Sequence, residues 1–202
     1  KRLYNNNTLQ KLTGISMYKK IFYIFIIISS ALKADDWPGW FGPERDGVWR
    51  EEGILDKFPQ KGPKTIWKAP VGRGYAGPAV ADGKVYIMDR QIDKGAKSPE
   101  NPFSKITIPG NERLLCLDAK NGEIIWEKSY NCPYSISYSA GPRTTPLIDE
   151  NRVYTIGAEG NLYCRSTSDG KEIWSTDFNT AFNVKTPTWG FSSTPLIYEN
   201  LL

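Results

Sequence analysis

The sequence predicts an all-β chain, a β-propeller of four-stranded blades, and three observations carry that prediction. A segment of about 48 residues recurs, turn residues cut each copy into four strand-length runs, and a Trp returns at the same place in each copy. The copies are Cys116-Leu-Asp-Ala-Lys-Asn-Gly122-Glu-Ile-Ile-Trp126 and Cys164-Arg-Ser-Thr-Ser-Asp-Gly170-Lys-Glu-Ile-Trp174, with the tryptophans 48 residues apart. Upstream of each, Pro78-Ala-Val-Ala-Asp-Gly-Lys-Val85-Tyr86 matches Pro146-Leu-Ile-Asp-Glu-Asn-Arg-Val153-Tyr154, and a third copy starts at Pro195-Leu-Ile-Tyr-Glu-Asn. A β-sandwich would not return the same Gly and Trp at a fixed interval.

Taken from the N-terminus, residues 1–16 are polar, Asn-rich and aperiodic, and read as an upstream extension outside the fold. Residues 17–34 read as a signal peptide. Met17, Lys19 and Lys20 precede the apolar run Ile21–Ile28, and small residues follow up to Ala34. That run is short of the roughly 20 residues that span a bilayer, so no stable span is expected after cleavage; an uncleaved anchor is the alternative. Residues 1–34 hold six basic and no acidic residues, leaving 20 basic against 22 acidic in the body. The net charge of +4 therefore belongs to the leader, and a nucleic-acid partner is not expected.

Residues 35–63 form a lead-in, and 64–202 a partial propeller with blades at about 77–128 and 144–178 and a truncated one at 193–202. The run Thr65–Val71 matches a blade's fourth strand, with Trp67 in the position of Trp126; it is expected to complete the last blade. In the second blade the strands are expected at Thr144–Ile148, Arg152–Gly157, Asn161–Ser166 and Lys171–Phe178. Val, Ile, Tyr and Trp fill them, and Asp/Asn/Gly turns divide them. The first blade is longer by about twenty residues, placed near 90–111, where Pro, Gly, Asn, Ser and Lys mark a surface loop. Trp67, Trp126 and Trp174 are expected to fill the gaps between blades, with Gly122 and Gly170 turning the chain ahead of them. Cys116 and Cys164 share one repeat position and read as small buried hydrophobes, a bridge between them being the alternative.

At these motifs the sequence resembles the pyrroloquinoline-quinone (PQQ) repeat propellers. Their docking motif, A-x-D-x-x-T-G-x-x-x-W, is matched at Asp118, Gly122 and Trp126, and again at Gly170 and Trp174 with Ser166 in place of Asp. The opening Asp36-Trp-Pro-Gly-Trp-Phe-Gly-Pro-Glu-Arg-Asp-Gly47 is similar to the start of exported bacterial propellers of that kind. The resemblance implies an N-terminal fragment, about two and a half blades of a seven- or eight-bladed propeller. It also implies a periplasmic or secreted protein. The family holds dehydrogenases that use PQQ and calcium as well as cofactor-free binding propellers. A lipid-anchored assembly factor of this fold is disfavoured because no Cys stands at the cleavage point.

The chain contains no His, which excludes a Ser-His-Asp triad, a Cys-His pair and His-ligated metal within it. No phosphate-binding G-x-x-x-x-G-K-[ST] loop occurs. Asp118 and Asp149-Glu-Asn151 read as turn residues rather than metal ligands. No catalytic residue is assignable. A ligand would meet the loops that join one blade's fourth strand to the next blade's first: 71–77, 129–143 and 179–193. They carry Arg73, Tyr75, Tyr134, Tyr138, Arg143 and Trp189. Aromatic rings with Arg suit a flat anion such as PQQ; packing of the loops is the other role open to these aromatics. The expected function is an exported binding propeller that takes a small molecule or a protein at its rim, with a PQQ- and calcium-dependent alcohol or sugar dehydrogenase as the alternative.

Overall fold

The computed structural model describes residues 35–53 and 55–202, so the extension and signal-peptide readings lie outside the described residues. Two antiparallel meanders follow one another. The first runs β1 (Ala79–Ala81), β2 (Lys84–Ile92), β3 (Gly110–Asp118) and β4 (Ile124–Asn131). The second runs β5 (Leu147–Asp149), β6 (Arg152–Ile156), β7 (Asn161–Ser166) and β8 (Glu172–Asp177). In both sheets the spatial order equals the chain order, which is the plan of a propeller blade.

Local chemistry explains the meanders. Asp82 and Gly83 both have positive φ, 51° and 71°, between the paired residues Ala81 and Lys84, the backbone that a two-residue hairpin with right-handed strand twist needs. Between the third and fourth strands the two blades share one turn. Gly122 donates to the Asp118 carbonyl and Gly170 to the Ser166 carbonyl, at 2.8 and 2.9 Å. The Asp118 carboxylate accepts from the Lys120 amide, and the Ser166 hydroxyl accepts from the Ser168 amide. Ser166 thus performs the turn-closing role of the Asp it replaces, and the motif survives the substitution.

Two of the three repeat indoles, Trp67 and Trp126, dock on the following turn, whereas Trp174 stays 38% exposed. Trp67 Nε1 donates to the Ala119 carbonyl at 2.9 Å, and Trp126 Nε1 donates to the Thr167 carbonyl at 3.2 Å. A Cβ on Gly122 would lie 2.5 Å from the Trp67 ring, and one on Gly170 would lie 2.7 Å from the Trp126 ring. The glycines therefore do more than turn the chain: their bare Cα atoms leave room for the previous indole. Within each blade the Trp also leans on the repeated Tyr, Tyr86–Trp126 at 6.0 Å and Tyr154–Trp174 at 6.1 Å between centroids. The main core lies between the blades, joining Ala79, Tyr86, Met88 and Trp126 of the first to Ile148 and Val153 of the second. Cys116 and Cys164 are buried free thiols, so the alternative of a bridge between them is set aside. Burial pushes the Cys116 thiol up to about 11.

Two details differ from the expectation. The extra residues of the first blade are not all loop: β2 and β3 are nine residues each, and Arg90 and Ile108, inside the stretch read as surface, are buried. Phe178 opens a one-turn helix, α1 (Phe178–Ala181), because Asp177 caps it by accepting from the Thr180 amide. The run 65–71, expected to complete the last blade, pairs with neither sheet among the described residues and is held through Trp67. Among the described residues no helix is long and apolar enough to cross a membrane.

Candidate functional site

Tyr75, Tyr138, Arg143, Trp189 and Ser192 line one open cleft of about 280 Å³. They come from three successive connections: Tyr75 from the one before β1, Tyr138 and Arg143 from the one between β4 and β5, and Trp189 and Ser192 from the one after β8. Four of the six residues named in the rim loops, Tyr75, Tyr138, Arg143 and Trp189, therefore converge. Arg73 does not line the cleft; its Nη1 donates to Ser98 Oγ at 2.8 Å in the first blade's long loop.

The aromatics divide between the two roles left open by the sequence. Tyr134 is fully buried and packs the loop. Tyr138 lies edge-on to Phe103, with centroids 5.2 Å apart. Tyr75 and Trp189 leave 52% and 60% of their surface to solvent, so their faces are available in the cleft.

Arg143 is held by main chain. It donates to the Gly141 carbonyl, to the Ser137 carbonyl at 3.0 Å and to the Tyr138 carbonyl at 2.5 Å. None of the described carboxylates forms an ion pair with it, so its positive charge is fixed without being neutralised by a neighbour. Its guanidinium stands 5.3 Å from the Tyr75 centroid and 5.9 Å from that of Tyr134. Burial pulls its basicity down, with nearby Tyr and Glu side chains opposing the shift.

Behind the cleft lies a buried polar network. Arg90 sits 3.8 Å over the Tyr134 ring and donates to the Ile108 and Ser139 carbonyls at 2.6 and 3.2 Å. The Glu112 carboxylate accepts from the hydroxyls of Tyr130 and Tyr134 and from the Ala158 amide at 2.9 Å. Burial first, and Glu112 second, raise both tyrosines well above their ordinary value, so they stay protonated as donors. The long loop between β2 and β3 adds outer supports. The Pro102 carbonyl accepts from the Tyr138 amide at 2.7 Å, and Lys105 Nζ reaches Thr188 Oγ1 at 2.9 Å. Sequence reasoning missed Arg90, Glu112 and Ser192. Buried Arg90 and Glu112 meet their partners only through packing and leave no periodic signal, whereas Ser192 could have been found from its distance to Pro195.

No three His, Cys, Asp or Glu side chains lie together among the described residues. Glu112 is already saturated by three donors and Asp89 is engaged by Arg113. These residues do not make a calcium cage, and no chemical step is derived through a metal. The cleft offers ring faces and one cation.

Residues 110–202 match a family model, PQQ_2, described as outer membrane protein assembly factor BamB. The outer membrane protein assembly factor BamB of Nitrosomonas eutropha is 27% identical over 80 residues, 38% of this chain and 19% of that protein. Tetrathionate hydrolase of Acidithiobacillus ferrooxidans is 25% identical over 137 residues, 62% of this chain and 25% of that one. The chain thus spans about a quarter or less of these curated relatives. The crystal structure of quinohemoprotein alcohol dehydrogenase from Comamonas testosteroni superimposes with a TM-score of 0.52 at 17% identity, over 86% of this chain and 23% of that one, a likeness of fold.

Proposed function

We propose, from a chain whose repeats are those of the PQQ-type propellers, that it serves an exported, non-catalytic binding propeller whose rim cleft takes a flat, anionic ligand. The observation that carries this is the convergence of Tyr75, Arg143, Trp189 and Ser192, from three loops, on one open cleft whose only lining charge is that of Arg143. An anion replaces part of its hydration with the guanidinium, and a planar body covers the exposed rings of Tyr75 and Trp189. The basic, then apolar, then small-residue pattern of 17–34 supports export. Relatives named as assembly factors bring in a second form of the ligand, an anionic group borne on a partner protein.

The second reading is a PQQ-dependent dehydrogenase. The ring-plus-Arg character of the cleft and the fold likeness to quinohemoprotein alcohol dehydrogenase favour it. One preparation separates the two. Naphthalene-2-carboxylate, titrated into the purified chain by calorimetry, is expected to bind saturably and about tenfold more weakly to the Arg143→Gln variant, the scale of one charge-assisted hydrogen bond. The same preparation, mixed with PQQ, Ca²⁺, a redox dye and ethanol or glucose, is expected to reduce no dye. Absence of binding overturns the proposal, and dye reduction above the protein-free rate replaces it with the dehydrogenase.

A further inference from the structure

We infer that the side chain three residues before the proline opening each blade is the specificity-determining position of this cleft. Its occupants are Tyr75, Arg143 and Ser192, ahead of Pro78, Pro146 and Pro195. All three line the cleft, although nothing but repeat position relates them. The inference rests on the cleft being a ligand site and says which position selects the ligand.

The first two blades present these loops in register, residue against equivalent residue. Five before the proline, Gly141 meets Arg73: a Cβ on Gly141 would strike the Arg73 carbonyl oxygen. Four before, Gly74 lies against Pro142, whose carbonyl accepts the Tyr75 amide at 2.7 Å. One before, a Cβ on Gly77 would lie 3.2 Å from Thr145 Oγ1. Between these contacts the residues three before stand side by side, which is the Arg143–Tyr75 stacking at 5.3 Å. The flanking positions of these two loops thus face one another, and at Gly141 there is no room for a Cβ. The third position points into the cleft instead, and it holds an aromatic ring, a cation and a small hydroxyl in three successive blades. Chemistry can change there without disturbing the packing that sets the loops.

A consequence follows for ligand class. With one cation in the set, the cleft suits a planar ligand bearing a single carboxylate at Arg143, with the small Ser192 leaving room beyond it. Replacing Ser192 by Arg places a second cation one repeat position along and should turn the site toward dicarboxylates.

Calorimetric titration with naphthalene-2-carboxylate and naphthalene-2,6-dicarboxylate tests this. The wild-type chain is expected to bind the two within about threefold of each other. Ser192→Arg should favour the dicarboxylate by about tenfold, one added charge-assisted contact. Arg143→Ser should weaken both probes by about tenfold, and the double variant Arg143→Ser/Ser192→Arg should recover the monocarboxylate. Ser192→Arg alone keeps Arg143 and its three carbonyl contacts, so it reports on selectivity even where loss of Arg143 disturbs the loop. An unchanged preference in Ser192→Arg, with the wild type still binding, overturns the position rule and leaves the cleft reading standing. A wild type that binds neither probe removes the cleft reading itself, and the rule with it.

Discussion

Gly122 and Gly170 each do two jobs, and the two can be separated. Both have positive φ, 75° and 69°, and both lie under an indole that a methyl group would strike. Gly83 has nearly the same φ, 71°, but nothing lies within 4 Å of where its Cβ would be. Gly83→Ala therefore carries backbone strain alone, about 1 kcal/mol. Gly170→Ala adds overpacking against Trp126, and the two together should cost about 2–4 kcal/mol. Urea midpoints of the two variants check this: a clearly larger loss in Gly170→Ala is expected, and equal losses would mean that the indole does not depend on the bare Cα. The sequence placed these glycines at the turn but could not show the second role. The indole that needs the space lies about 44–55 residues upstream in another blade, and only the packing brings the two together.

At the scale of the element, the docked indole is worth more where its turn is present. Trp126 is 9% exposed and donates to the Thr167 carbonyl, which also receives Lys84 Nζ and Tyr86 Oη at 3.4 Å. Trp174 leaves 38% of its surface exposed. Trp126→Ala should therefore destabilise the chain by about 3–5 kcal/mol, and Trp174→Ala by roughly half of that or less. Denaturant titrations of the two variants would settle the order, and a larger cost at Trp174 would contradict it. What the sequence made legible follows the same division. Strands, turns and the interval between indoles are local patterns, so β5 to β8 fall within a few residues of their expected places. The same is true of the rim loops, which is why Tyr75, Tyr138, Arg143 and Trp189 were identified together. Arg73 instead donates to Ser98, which sits in an insertion that no repeat predicts. Tyr134 is legible as a rim-loop aromatic, but its buried partners Arg90 and Glu112 are not, because only packing joins them to it.

At the scale of the whole folded unit, Asp36–Leu202, the lead-in closes an edge that the blades leave open. First strands have only one neighbour in their own sheet, so their outer amides and carbonyls need other partners. Trp37 exchanges two hydrogen bonds with Val80 on β1, at 2.8 and 2.9 Å. The next residue, Pro38, has no N–H to extend that ladder, and its carbonyl accepts the Ile148 amide of β5 at 2.7 Å. One short segment therefore ties the first strands of both blades. Gly42 then folds back beneath Trp37 with φ 78°, where a Cβ would lie 2.7 Å from the ring. Gly42→Val puts a β-branched side chain into a positive-φ site already filled by an indole, and should release the segment without touching either sheet's interior. Hydrogen exchange followed by NMR is the measurement that fits. The amides of Val80 and Ile148 are expected to exchange at least about tenfold faster, while those of Leu115 and Tyr163 on β3 and β7 keep their protection. Uniform loss across both sheets would instead make the lead-in part of the folding core, and unchanged exchange at Val80 would mean that its amide is protected without Trp37.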